Sequence, residues 1–316
     1  MGRIAIYDVD ADDKTHKSEL PNLALMRVSA FYKKLGFTVE HYSPLHRDYY
    51  DKVFASTIFS FSDKSQLDPE QMEIGGSAWD LHKNLPPEVE ACRPDYSLYR
   101  YPHSIGFAMR GCRFRCKFCD VPEKEGRPKA SNTIGEIWTN RDSNFVVLLD
   151  NDFFGNPLWR ERIAEVRRLG LDVNFSQGLN IRIITDEQSQ ALASVPFWNL
   201  HHTKRQVHFA WDRFQDEKAI DAGIERVKAA GIKPYQMAFY VLIGFDTTPE
   251  QDLYRVTKLK DLGCDPYVMS YDDTDPYQGR FERWVNHKAT FYSTSFENYR
   301  VGVRGKRDKS TAWMFG

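Results

Sequence analysis

The sequence predicts an α/β protein built from two units. Three observations carry this. The chain has 316 residues, more than the roughly 250–300 at which a single core usually stops growing. Hydrophobic residues make up 41% and charged residues 28%, a globular balance rather than a disordered one. From His103 onward, short apolar runs alternate with amphipathic stretches, the pattern of strands separated by helices.

The elements follow in order. Arg3–Val9 is an apolar strand, and Pro21–Gly36 has helical periodicity with Gly36 as its stop. Phe37–Tyr42 alternates like a strand, and Asp51–Ser60 holds a further apolar run. Together they predict a small, mostly parallel Rossmann-like α/β domain over residues 1–100. Asn84–Pro102 carries four prolines and reads as a linker. Six strands are then expected, at Ser104–Met109, Phe145–Asp150, Val173–Gln177, Gln206–Asp212, Tyr235–Gly244 and Tyr267–Tyr271. Helices fit between them at Ile134–Arg141, Pro157–Leu169, Asp186–Ala193, Glu217–Ala230 and Pro249–Leu262. Ser131 or Asn132 can cap one helix and Thr185 another, while Gly170, Gly231 and Gly263 sit just past three ends. Such an array is an open doubly wound sheet or a partial barrel, and in both the chemistry gathers where the strands end. The second unit spans residues 101–290. The remainder, 291–316, is a basic tail; within Arg300–Gly316, Arg300, Arg304, Lys306, Arg307 and Lys309 face only Asp308.

Charge and composition exclude several classes. Lys+Arg 43 against Asp+Glu 44 leaves a formal charge of -1, so the surface as a whole is not built for phosphate backbones. A nucleic-acid partner is thereby possible only through a local patch. No stretch approaches eighteen apolar residues, and the N-terminal apolar run is too short for a signal-peptide core. Met1-Gly2 lacks the Ser or Thr at position six that myristoylation wants. No membrane association and a cytoplasmic location with reduced thiols are expected.

Only 5 cysteines occur, too few for a disulfide scaffold, yet three of them lie within eight residues. Cys112, Cys116 and Cys119 have the spacing Cys-x3-Cys-x2-Cys, directly after the first strand of the second unit. Three thiolates on a short loop favour zinc or an iron–sulfur cluster. Structural zinc wants four ligands, and no second knuckle is present; Cys264 stands alone and His103 would have to fold back. Three ligands on a four-iron cluster leave one iron open, the mark of a catalytic centre.

This spacing, with Phe118 before the third cysteine and six strand–helix units after it, resembles the radical S-adenosylmethionine (SAM) superfamily across roughly residues 103–290. The resemblance implies a partial (β/α)6 TIM-type barrel. It implies a [4Fe-4S] cluster on Cys112, Cys116 and Cys119, with SAM chelated at the open iron. It also implies a flavodoxin- or ferredoxin-type electron donor, and SAM cleavage to a 5′-deoxyadenosyl radical that abstracts hydrogen from a substrate the sequence does not identify. Between Arg110 and Lys129 seven basic side chains face three acidic ones, which suits an anionic cluster. Carried over by position, Phe118 would pack beside the cluster and the adenine. Asp150-Asn151-Asp152 stands where many relatives have Gly-Gly-Glu and would accept from the SAM ammonium. Gln177 and Arg182 would meet ribose hydroxyls and carboxylate, Asp212 would contact SAM, and Gly244 would admit the adenine to the backbone. Helix capping before Pro157 is the alternative role for the Asp150–Asp152 stretch.

An α/β unit before such a barrel resembles the cobalamin-binding arrangement. Its Asp-x-His-x-x-Gly marker is missing: the first loop reads Asp10 to His16 without that spacing, and Asp80-Leu81-His82 has Leu at position 85. A cobalamin-dependent methyltransferase stays open. A methylthiotransferase-like RNA-modifying enzyme would need three further cysteines upstream, where only Cys92 occurs. A zinc-stabilised nucleic-acid-binding module is the reading from a different class. Cys264 reads as a small buried hydrophobe, His201-His202 as surface histidines, and Tyr271 and Tyr277 as pocket-lining aromatics near the last strand end.

Overall fold

The six residues Arg3–Asp8 form β1, whose side chains are buried after the first. In the computed structural model, which describes residues 2–13 and 18–300, β1 is central to a parallel sheet. It lies between β2 (Thr38–His41) and β3 (Lys52–Ser56), with β4 (Met72–Gly75) outside β3, giving the order β2-β1-β3-β4. The helix Leu23–Lys34 crosses between β1 and β2, capped by the Asn22 side chain on the Leu25 N–H. Gly36 follows it at φ +89°, as its reading as a stop requires. β4 escapes sequence reading because only Met72 and Ile74 mark it.

Asn84–Pro102 is not a free linker. Asp95 accepts hydrogen bonds from Ser29 and Lys33 (both 2.6 Å), and Tyr99 donates to Asp8 (3.2 Å). Leu85 and Leu98 pack on the core of the sheet. The prolines shape a strap along the first unit, which comprises residues 2–104 together with Thr139–Ser143.

The second unit, Ile105–Trp138 with residues 144–300, holds the remaining strands. One sheet has the order β5 (Ser104–Gly106), β8 (Phe145–Leu148), β9 (Asp172–Phe175). Another has β10 (Val207–Ala210), β11 (Met237–Ile243), β12 (Asp265–Ser270), all parallel. A single parallel bridge, Leu179 to Phe209, joins the end of β9 to β10. Between β5 and β8, the short antiparallel pair β6 (Met109–Arg110) and β7 (Lys129–Ala130) closes the loop carrying the three cysteines. The protein is therefore mixed α/β with parallel sheets, and no closed barrel is formed among the described residues.

Helices follow the strands at Trp159–Leu169, Asp186–Ala193, Glu217–Ala229 and Pro249–Asp261. Thr185 caps the second through a reciprocal bond with Gln188. The helix after the cysteine loop is one turn, Ile134–Ile137, shorter than expected and capped by Thr133 rather than Ser131 or Asn132. The strands bury one face against these helices: Val146, Val173, Phe209, Phe239 and Val268 join Ile163, Leu192, Ile224 and Leu259 in one core. Two helices the periodicity did not disclose, Pro276–Asn286 and Lys288–Ser293, continue this core, with Phe291 buried and Phe296 against Phe281. The packed chain thus continues past residue 290, where a tail was expected. His16 and the basic residues Arg304, Lys306, Arg307 and Lys309 lie outside the described residues.

Candidate functional site

The face of the strands turned away from the helices is different in kind. Period-two alternation puts Asn174 of β9 and Ser176 just past it, His208 of β10 and Asp212 two residues past its end, Tyr240 of β11, and Asp265 and Tyr267 of β12 on it. A structural interior would be apolar on both faces. Here the second face is polar and aromatic, and His208, Asp212, Asp265 and Tyr267 keep partial exposure. The His208 and Tyr240 rings stack at 4.7 Å, and burial holds the imidazole near pKa 4, hence neutral. Tyr240 donates to the Ser176 carbonyl (3.2 Å).

The cysteine loop is fixed at its neck. Gly111 has φ +83°, and a Cβ there would strike the Arg127 carbonyl. That approach lets the Cys112 N–H reach the Gly126 carbonyl (3.1 Å). Glu125 ties the same turn, accepting from the Gly111 N–H and pairing with Arg110 (both 2.8 Å). The three thiols are half-buried. Burial raises all of them, Cys112 to about 11, and each neighbouring thiol raises Cys112 further. Cys112 accepts a hydrogen bond from the Phe114 N–H (3.5 Å), and the Val121 N–H favours the Cys119 thiolate. Cys116 feels Asp212, Arg182, Arg213 and Asp216; Cys119 also feels Asp212. The loop therefore faces the ends of β9 and β10.

Each expected site residue can now be located. Asp150, after β8, is buried; one oxygen accepts from the Ala108 N–H (2.7 Å) and the other has no partner. Burial raises its pKa to about 7, against lowering by the Ala108 and Met109 N–H groups. Asn151 donates weakly to Glu125 (3.4 Å). Asp152 is committed to Arg113 by a bidentate pair (2.6 and 2.7 Å) and the Arg113 N–H (3.1 Å). It anchors the cysteine loop to the β8 end and is not free to meet an ammonium. None of these three carboxamide or carboxylate groups caps the helix at Trp159, whose N-cap is Leu158 without a side-chain bond. Gln177, after β9, has a buried amide oxygen without a partner. Arg182 is taken by Asp216 (2.8 Å) and lies over Phe114. Asp212 is raised by burial to about 6, with Arg255 and the Leu242 N–H pulling it back. Gly244 has φ +78°, and the space beside its Cα is filled by the Gln278 side chain rather than left for an adenine. Phe118 meets Phe245 just past β11 (5.4 Å), which meets Tyr271 past β12 (4.8 Å).

Sequence reading missed the residue that organises this edge. Arg255 is fully buried and donates to the carbonyls of Trp211 (2.7 Å), Asp212 (3.0 Å) and Leu242 (2.8 Å), and to Asp252 (2.7 Å). It ties the ends of β10 and β11 together beneath Asp212. The signal was an Asp–Arg pair three apart on the apolar side of the helix Pro249–Asp261. His202 was also misread: it pairs with Asp172 (2.7 Å) and stacks on Phe145 (4.2 Å), so it is structural rather than a surface histidine. Tyr277 packs among Phe281 and Phe296 rather than lining a pocket. Cys264 is buried, as a small hydrophobe should be.

Among the described residues, no three His, Cys, Asp or Glu side chains converge on a point that one metal ion could occupy. A cube of four irons takes each thiolate on a different iron and does not need that convergence. The donor set of three thiols, with two N–H···S contacts and a surplus of nearby guanidiniums, suits such a cluster better than a single zinc. No protein-family model matches the chain, and no curated protein matches it. No described helix is long and apolar enough to cross a membrane.

Proposed function

We propose that the protein is a radical SAM enzyme acting on a substrate held over the polar face of its second unit. The observation that carries this is the Cys-x3-Cys-x2-Cys loop, tied by Arg113 to Asp152 just past β8, together with two buried acceptors without a partner, Asp150 at the end of β8 and Gln177 at the end of β9. A bound donor would satisfy both atoms. A SAM ammonium and ribose hydroxyls would be donors of the right kind. The six strands β5, β8, β9, β10, β11 and β12, in sequence order with one bridge between the two sheets, support the partial (β/α)6 barrel.

Cys112, Cys116 and Cys119 would hold a [4Fe-4S] cluster. When bound and reduced by a flavodoxin- or ferredoxin-type donor, it would supply the electron that cleaves SAM to methionine and a hydrogen-abstracting 5′-deoxyadenosyl radical. The chain's own residues bind and orient. Asp150, held by the Ala108 N–H on one side, offers its other oxygen as acceptor. Asp212, set by Arg255, offers a second carboxylate at the next sheet. Phe118 and Phe245 form an apolar wall that would exclude water from reactive species. Arg113, by locking Asp152, holds the loop to β8.

The test is anaerobic iron–sulfur reconstitution followed by dithionite reduction and assay of 5′-deoxyadenosine. A brown protein that releases it supports the reading. A protein that takes one zinc and no sulfide supports a zinc-stabilised module instead.

A further inference from the structure

We propose that a cavity against the cysteine loop is an oxyanion site that takes the phosphate of a phosphate-bearing ligand. The cavity has a volume of about 430 Å³ and is lined by Cys112, Arg113, Arg115, Pro122, Gly126, Arg127 and Pro128. Cys116 and Cys119 do not line it, so it is not the space the three thiols would share. Cys112 does line it, so its occupant would lie beside the proposed cluster position, and the inference rests on the arginines of the wall rather than on the cluster.

Charge decides the ligand class. Arg113 is spent, because the buried Asp152 holds it in a bidentate pair and neutralises it. Arg115 and Arg127 are different: among the described residues neither has a hydrogen-bond or ion-pair partner. Two arginines without a partner thus border one cavity, bringing a local charge of two. A guanidinium fork matches phosphate and carboxylate oxygens, and two forks match a dianion. The backbone of the wall is held in place, while the Arg115 and Arg127 side chains are exposed. Gly111 closes against the Arg127 carbonyl, and the Cys112 N–H donates to the Gly126 carbonyl, so the Arg127 backbone is kept beside Cys112. Pro122 and Pro128 stiffen the flanks, and open space lies beside the Gly126 Cα. The volume exceeds a lone phosphate and matches the lower range of small-molecule sites, leaving apolar proline surface for the rest of a nucleotide-sized molecule. The concavity favours a small anionic group over a flat, acidic protein surface. Such a ligand could be a free nucleotide or a phosphate of an RNA chain; the chemistry recognised is the same.

The experiment uses the full chain, with its iron content recorded, and measures binding by calorimetry. The probes are inorganic phosphate, AMP, adenosine, and one short ribo-oligonucleotide with and without a 5′-phosphate. AMP is expected to bind at least tenfold more tightly than adenosine, with inorganic phosphate competing. The double variant Arg115→Gln/Arg127→Gln is expected to lose tenfold or more. Arg115→Lys/Arg127→Lys should lose less, and Arg160→Gln, on an exposed helix face, nothing. Preference for the 5′-phosphorylated oligonucleotide marks a terminal phosphate. Oligonucleotide binding without that preference, competed by phosphate and lost in the double variant, marks the backbone. Failure of AMP and oligonucleotide alike to bind, equal binding of AMP and adenosine, or binding unchanged in the Gln double variant overturns the proposal. Iron loading and SAM cleavage are read separately on the same samples.

Discussion

Replacing Arg255 with Met should be the most damaging single change at the proposed site. The side chain is fully buried and its donors serve three strand-end carbonyls and one carboxylate. Methionine has similar volume, so little cavity forms, and the cost is electrostatic. Removing one partner of a buried ion pair typically costs about 3–5 kcal/mol, because the other charge stays buried. That is a change of roughly two to four powers of ten in the folding equilibrium. The defect should depend on pH in a fixed direction. Burial already raises the Asp252 carboxyl, and Arg255 opposes that rise. Without Arg255 the folded pKa climbs further above its unfolded value. A carboxyl raised in this way stabilises the fold fully below its unfolded pKa and loses that contribution as pH rises through the folded one. The defect of Arg255→Met should therefore be smaller at pH 5 than at pH 8. Urea unfolding followed by tryptophan fluorescence measures it, with the second-unit transition as readout. The double variant Asp252→Leu/Arg255→Met should be less unstable than Arg255→Met alone, since no buried charge remains. A wild-type urea midpoint for Arg255→Met at pH 8, or a defect that grows as pH falls, would refute this reasoning.

Other outcomes follow from the same geometry. Asp150→Asn keeps the acceptor for the Ala108 N–H but removes a carboxylate raised to about 7, so the ligand-free variant should melt higher than wild type at pH 8 and equally at pH 4, while SAM binding weakens. Ser at Cys112, Cys116 or Cys119 should abolish iron and sulfide loading, measured by metal and sulfide analysis, whereas Cys92→Ser and Cys264→Ser should load normally. Thr185→Ala removes a reciprocal helix cap and should cost about 1 kcal/mol in chemical denaturation. Gly244→Ala meets both a positive φ and the Gln278 side chain, so it should lower the melting temperature markedly.

Much of the architecture was legible because its signals are local. Apolar runs disclosed β1, β8 and β11, and glycines past helix ends disclosed the stops at Gly170, Gly231 and Gly263, all of which have positive φ. The cysteine spacing picked out the loop. What stayed hidden depends on partners far apart in the chain. Asp152 reads as a free carboxylate until Arg113 is found against it. Arg182 reads as a carboxylate clamp until Asp216 takes it. Gly244 reads as a gap until Gln278, from a helix that periodicity did not disclose, fills it. Arg255 was hidden for the same reason, since its carbonyl partners belong to β-strand ends 13 to 44 residues earlier.

The central claim is that the three-cysteine loop carries a SAM-cleaving cluster. Anaerobic reconstitution with iron and sulfide, reduction, and quantification of 5′-deoxyadenosine tests it most directly. The account predicts about four irons and four sulfides per chain, a brown absorbance lost in the cysteine variants, and 5′-deoxyadenosine formed only when both reductant and SAM are present. A reconstituted protein that stays colourless, or one that carries the cluster yet leaves SAM intact under reduction, contradicts it.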